Sequence, residues 1–200
     1  MTITADKKIV ELFSGRYLIS SQRNLIISTL LGSCVAVCLF DEKSGTGGMN
    51  HFLLPQRKNP SPSKRFNKGK YGLSSLEKML ADFQKKGIDP AGLKGKVFGG
   101  ARMMENIKDN IAEANIELAF AYLKKRKIPV LAKDVGGLFG RRIFFVIEDF
   151  SVYVKTFAQP LSSTKLSPQY FNNQSRQESK PTPVRQDTSN CFASGLICRR

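Results

Sequence analysis

Cys34, one of four cysteines in the 200-residue chain, and His51, its single histidine, have types suited to nucleophilic chemistry. Both fall in TLLGSCVAVCLFDEKSGTGGMNHFLLP, residues 29–55. A thiol with an unperturbed pKa of about 8.5 is a weak nucleophile at neutral pH, and a neighbouring imidazole can draw off its proton to make the thiolate. Gly32 and Ser33, directly before the cysteine, add backbone N–H groups that a turning chain can aim at an oxyanion. The plainer reading is that each residue is structural. Cysteine commonly serves as a small buried hydrophobe, the role expected for Cys38 in VAVCLF, and a lone histidine is more often a satisfied core residue than a base.

The elements that must position this pair are legible around it. CVAVCLF (34–40) is apolar and β-branched, enters from Gly32-Ser33 and stops at Asp41, which predicts a buried strand. EKSGTGG (42–48) has the glycines of a hairpin connection, and MNHFLLP (49–55) predicts extended chain up to Pro55. A hairpin of this kind brings residues 34 and 51 near each other through pairing alone. Residues 56–70 predict a loop. Leu73, Leu76, Leu80 and Phe83 fall at helical spacing before Gly87 and Pro90, with Ser74 and Glu77 in capping-box order. KVFGGARM (96–103) predicts a strand entering a glycine turn, and Ile116, Ala119, Phe120 and Leu123 mark a second helix before Pro129. VLAKDVGG (130–137), RRIFFVIED (141–149) and SVYVKTF (151–157) predict three more strands. FGGA and DVGGLFGRR lack the order of phosphate-binding loops and read as tight turns. Strands mixed with two helices on one core make a layered α/β domain.

Composition bounds the rest. A length of 200 residues with 41% hydrophobic and 24% charged residues fits one folded domain. Residues 1–157 carry the periodic segments; residues 158–200 are polar and proline-rich until a short apolar end, which predicts a disordered tail. The N-terminal stretch has no continuous apolar segment and no apolar run is long enough to span a bilayer, so a cytoplasmic location is expected. Cys34, Cys38, Cys191 and Cys198 match neither zinc-site spacing nor a dense disulfide framework and are expected as free thiols. The net charge of +16 favours acidic partners, and its basic residues concentrate in QRKNPSPSKRFNKGK (56–70) and KKRK (124–127). Nucleic acid is the commonest target of such patches, but the aromatic interleaving and reading motifs of a nucleic-acid surface are missing.

LGSCVAVCLFD, GGMNHFLLP, KVFGGARMM, NIELAFAYLKKRKIPVLAKDVGGLFGRRIFF and VYVK resemble, in order and spacing, the CheD family of chemoreceptor glutamine deamidases of bacterial chemotaxis. The resemblance runs from about residue 10 to residue 157. It implies a single-domain α/β/β sandwich akin to toxin-type glutamine deamidases, and a Cys-His-Thr triad that hydrolyses glutamine side chains on the cytoplasmic helices of chemoreceptors through a thioester. Cys34 and His51 match the family cysteine and histidine. The family threonine lies just before LGSC, where Thr29 is the choice and Ser28 the neighbouring hydroxyl; on a regular strand the two cannot both face His51. Backbone N–H groups at Gly32 and Ser33 are expected at the oxyanion. No cofactor or metal is expected; chemoreceptor helices and a chemotaxis phosphatase regulator are the expected partners, without nucleic acid or membrane insertion. A non-catalytic chemotaxis adaptor and a basic nucleic-acid-binding module are the competing readings. A papain-like protease is disfavoured, because its cysteine and histidine lie much farther apart.

Overall fold

The computed structural model describes residues 7–53, 72–102, 111–157 and 197–199. The chain enters through two short strands, β1 (Lys8–Glu11) and β2 (Tyr17–Ser20), followed by the longer β3 (Leu25–Leu31). β4 (Val35–Asp41) and β5 (Thr46–Phe52) then form an antiparallel hairpin with His51 directly opposite Ala36. The expected strand over 34–40 is present, whereas the hairpin connection is tighter than its glycines suggest. Gly47 and Gly48 lie inside β5, where a Cβ on Gly48 would stand 2.9 Å from the Ile19 side chain and 3.0 Å from the Leu18 carbonyl. These glycines therefore serve close approach of neighbouring chain rather than the turn.

Helix α1 (Gly72–Lys85) begins two residues before Ser74, which places that serine inside the first turn instead of at the cap. A single 3-10 turn at Pro90–Gly92 leads into β6 (Lys94–Gly99), and α2 (Ile111–Lys125) carries the chain over to β7 (Val130–Val135), parallel to β6. Parallel neighbours need such a crossover because a hairpin cannot join them. β8 (Arg141–Val146) and β9 (Val152–Thr156) pair antiparallel, and β10 (Ile197–Arg199) extends the same sheet from β9. The tail expected to be disordered thus contributes a strand at residues 197–199. The basic loop 56–70 and tail residues 158–196 lie outside the described residues.

Two five-stranded sheets result, ordered β1-β3-β8-β9-β10 and β2-β5-β4-β6-β7. Alternation along β4 shows how they stack: Ala36, Cys38 and Phe40 join Ile27, Leu31, Ile143 and Phe145 between the sheets, while Val35, Val37 and Leu39 pack on Leu76, Met79, Phe83 and Leu123 of the helices. The layers are sheet, sheet, helices, the α/β/β sandwich that the family resemblance implies. Among the described residues no helix is long and apolar enough to cross a membrane.

Candidate active site

The two sheets meet at the site. Thr29 comes from β3 of the first sheet; His51 from β5 and Cys34 from the turn entering β4 belong to the second. Period-two alternation puts Thr29 in line with Ile27 and Leu31, and His51 in line with Met49, all facing the inter-sheet layer. Cys34 is two residues before Ala36, the cross-strand partner of His51, so the cysteine and the histidine are diagonal neighbours on one face of the hairpin. The Cys34 side chain is packed against the inter-sheet core and half-buried. Ser28 points to the other side of β3, where its Oγ lies 3.5 Å from Arg142 Nη1.

A short hydrogen-bond chain defines the imidazole. Thr29 Oγ1 donates to the Leu12 carbonyl at 2.6 Å and lies 2.8 Å from His51 Nδ1. The hydroxyl has one proton and the carbonyl takes it, so the nitrogen brings its own: Nδ1–H donates to Thr29, and the lone pair sits on Nε2. His51 is only 5% exposed, and its Nε2 is buried with no hydrogen-bond partner among the described residues. The histidine backbone is held by its N–H to the Arg16 carbonyl at 3.0 Å and by the Gly15 N–H on its own carbonyl at 2.8 Å.

Burial sets the electrostatics. It lowers the imidazole to a pKa of about 4, with the Leu12 carbonyl acting more weakly in the opposite sense. It raises the Cys34 thiol to about 11, opposed by the residue's own backbone N–H on the sulfur. Both shifts favour the neutral forms at pH 7. Cys38, fully buried between the sheets, has its thiol pushed far above the usual range by burial and is a core residue.

The turn carrying Cys34 is anchored through its carbonyls. Gly32 O accepts from Ala101 N–H at 2.8 Å, Ser33 O from Asn115 Nδ2 at 3.1 Å, and Cys34 O from Gly100 N–H at 2.7 Å. FGGA is thus a support for the cysteine turn as well as a tight turn. Gly99 has φ of +106°, and a Cβ there would overlap the Cys34 carbonyl oxygen. The DVGGLFGRR turn braces it in turn: Gly136 N–H donates to Gly99 O at 2.9 Å, and buried Arg141 binds the Asp134 carboxylate and the Asp134 and Gly136 carbonyls. Residue types missed these supports because most of them are backbone groups. Asn115 had a signal, an amide side chain within the apolar stripe of a helix. Among the described residues no group of three or more His, Cys, Asp or Glu side chains gathers as a metal site.

A thiol and a buried imidazole of fixed tautomer lie on one face of the hairpin as diagonal neighbours, with no hydrogen bond between Cys34 Sγ and His51 Nε2, and together with Thr29 they make a candidate cysteine-type active site. The family described as CheD chemotactic sensory transduction matches residues 53–156, and the chain belongs to it. Cys34, His51 and Thr29 precede that matched stretch. The chain is similar to the probable chemoreceptor glutamine deamidase CheD of Bordetella petrii, 37% identical over 150 residues, covering 74% of this chain and 66% of that protein. It is also similar to the probable chemoreceptor glutamine deamidase CheD 1 of Shewanella oneidensis, 35% identical over 160 residues, covering 80% and 77% of the two chains. Among solved structures it aligns with the hypothetical protein YfiH of Bacillus licheniformis at 13% identity and a TM-score of 0.38, over 65% of this chain and 60% of that one.

Proposed function

We propose that the protein deamidates selected glutamine side chains on the cytoplasmic helices of chemoreceptors, with Cys34 as nucleophile, His51 as general base and acid, and Thr29 as the residue that orients the ring. The observation that carries this reading is the 2.8 Å contact from Thr29 Oγ1 to His51 Nδ1, which leaves the Nε2 lone pair on the hairpin face that also bears the thiol. The CheD relatives, named as probable chemoreceptor glutamine deamidases, supply the substrate class. A cytoplasmic location follows from that substrate, and a chemotaxis phosphatase regulator remains a proposed partner.

His51 Nε2 takes the thiol proton as Cys34 Sγ attacks the glutamine carboxamide carbon. The oxyanion is received by backbone N–H groups of the Gly32–Cys34 turn, among them the Cys34 N–H that already hydrogen-bonds its own sulfur. Collapse breaks the C–N bond, and the imidazolium gives its proton to the departing nitrogen, releasing ammonia and leaving a thioester. A water deprotonated by the same nitrogen attacks the thioester, and the thiol recovers its proton as glutamate leaves. The net reaction consumes one amide and one water and yields one carboxylic acid and one ammonia. A glutamyl methyl ester differs only in its leaving group, so weak esterase activity follows from the same steps.

The test compares Cys34→Ala with Cys38→Ala by mass spectrometry of the one-dalton Gln-to-Glu change on receptor cytoplasmic fragments. Cys34→Ala should abolish the change, and Cys38→Ala should retain it in the folded fraction. Full activity in Cys34→Ala would overturn Cys34 as the nucleophile, and no one-dalton change with the wild-type protein would leave the non-catalytic adaptor as the better account.

A further inference from the structure

The β4–β5 ladder closes with Val35 opposite Phe52. One position beyond this pair the strands diverge into the segments that matter most, Ser33-Cys34 on one side and Leu53, two residues after His51, on the other. A single side chain bridges the gap. Asn115, in the second turn of α2 and 0% exposed, donates from Nδ2 to Ser33 O at 3.1 Å and to Leu53 O at 2.8 Å. A carboxamide nitrogen has two hydrogens, and both are used on backbone carbonyls, one from each limb of the hairpin. Because carbonyls only accept, the orientation of the amide is unambiguous. Its Oδ1 is buried with no partner among the described residues, so the group is present for its donors. Neighbouring inward positions of the helix are Ala112, Ala119 and Leu123. Asparagine is a poor helix former, and an apolar residue would suit this stripe better.

We infer that Asn115 is a positioning residue for the reaction proposed above: its amide substitutes for the missing rung of the hairpin ladder and holds the Cys34 turn against the His51 strand. The inference rests on Cys34 being the nucleophile. Holding the turn inward also keeps the thiol desolvated, so releasing it has two effects of opposite sign. Deamidation falls, because the sulfur is no longer presented to Nε2; alkylation of Cys34 by a small reagent rises, because a more exposed thiol ionises more readily.

The experiment measures both on full-length protein. In Asn115→Ala, kcat for receptor-fragment deamidation should fall by about 100-fold, as expected when a reacting group is displaced by about 1 Å, with KM within about twofold. Iodoacetamide alkylation of Cys34 at pH 8, followed by mass spectrometry, should accelerate at least about tenfold, with its pH profile moved down toward that of an ordinary thiol. Leu123→Ala, which loosens the same helix without touching either carbonyl, should change neither quantity in the folded fraction. Asn115→Ser, which keeps one donor, should move both in the same directions by less, and it serves should the alanine variant not fold. Wild-type kcat and alkylation in the Asn115 variants, or the same shifts in Leu123→Ala, would overturn the inference. Activity retained in Cys34→Ala would instead overturn the assigned nucleophile, while the alkylation comparison would still report whether Asn115 holds the turn.

Discussion

Thr29 has one hydroxyl proton, and giving it to Leu12 O decides which nitrogen of His51 is basic. The ring is then buried neutral, and that has a measurable consequence for stability. Its folded pKa of about 4 lies below the unfolded value of 6.5, so the unfolded chain binds the proton more readily. The contribution is fully present above pH 6.5 and is lost as pH falls toward 4, amounting to about 3 kcal/mol over that window. Urea unfolding between pH 7 and 4 should show this slope in the wild type and lose that part of it in His51→Gln; parallel curves would show that burial does not depress the pKa. At this scale the sequence was informative about Cys34 and His51, since one histidine and a cysteine before a strand leave few pairings. The choice between Thr29 and Ser28 needed the facing direction of β3, and the Leu12 carbonyl has no signature in any residue type.

Among the elements, the hairpin and both helices were legible because their apolar positions repeat with a clear period. β1 and β2 were not: each is four residues long and only partly buried, so no alternation marks it. The role of FGGA also escaped a local reading, because its partner, the Cys34 turn, is distant in sequence. Gly99 and Gly100 have φ of +106° and +68°, conformations that disfavour any side chain, but their surroundings differ. A Cβ on Gly99 meets a backbone oxygen of the cysteine turn; one on Gly100 meets Cγ1 and Cδ1 of Ile116 at 2.5 Å, a side chain of α2 that has to shift but does not belong to the cysteine turn. Gly99→Ala should therefore cost about 2–4 kcal/mol in chemical unfolding and also lower deamidation by the folded protein, whereas Gly100→Ala should cost about 1–2 kcal/mol and retain activity. Equal activities in the two folded variants would remove Gly99 from the support of the cysteine.

For the whole molecule, a layered α/β domain followed from the mixture of strands and helices and the sandwich from the family resemblance, but the partition of strands between two sheets followed from neither, because β3 pairs with β8 across a long stretch of chain. Charge acts at the same scale. The net +16 already counts every acid, so ion pairs within the chain, such as the two hydrogen bonds from Arg126 to Glu77 at 2.6 and 2.8 Å, leave it unchanged, and Lys124, Lys125 and Lys127 are exposed at and just past the end of α2. If receptor helices are the substrate, this surface should speed encounter with their acidic faces. The kcat/KM on receptor fragments should then fall about tenfold between about 20 and about 200 mM salt, and replacing the three lysines by glutamine should flatten the dependence. A salt-independent rate in the wild type would remove steering by this patch.

Thr29 belongs to one sheet, and Cys34 and His51 to the other. If the two react as proposed, the residue that orients the ring and the residue that attacks are carried by different layers, so a lesion that merely slides one sheet over the other should silence the chemistry while leaving each sheet intact.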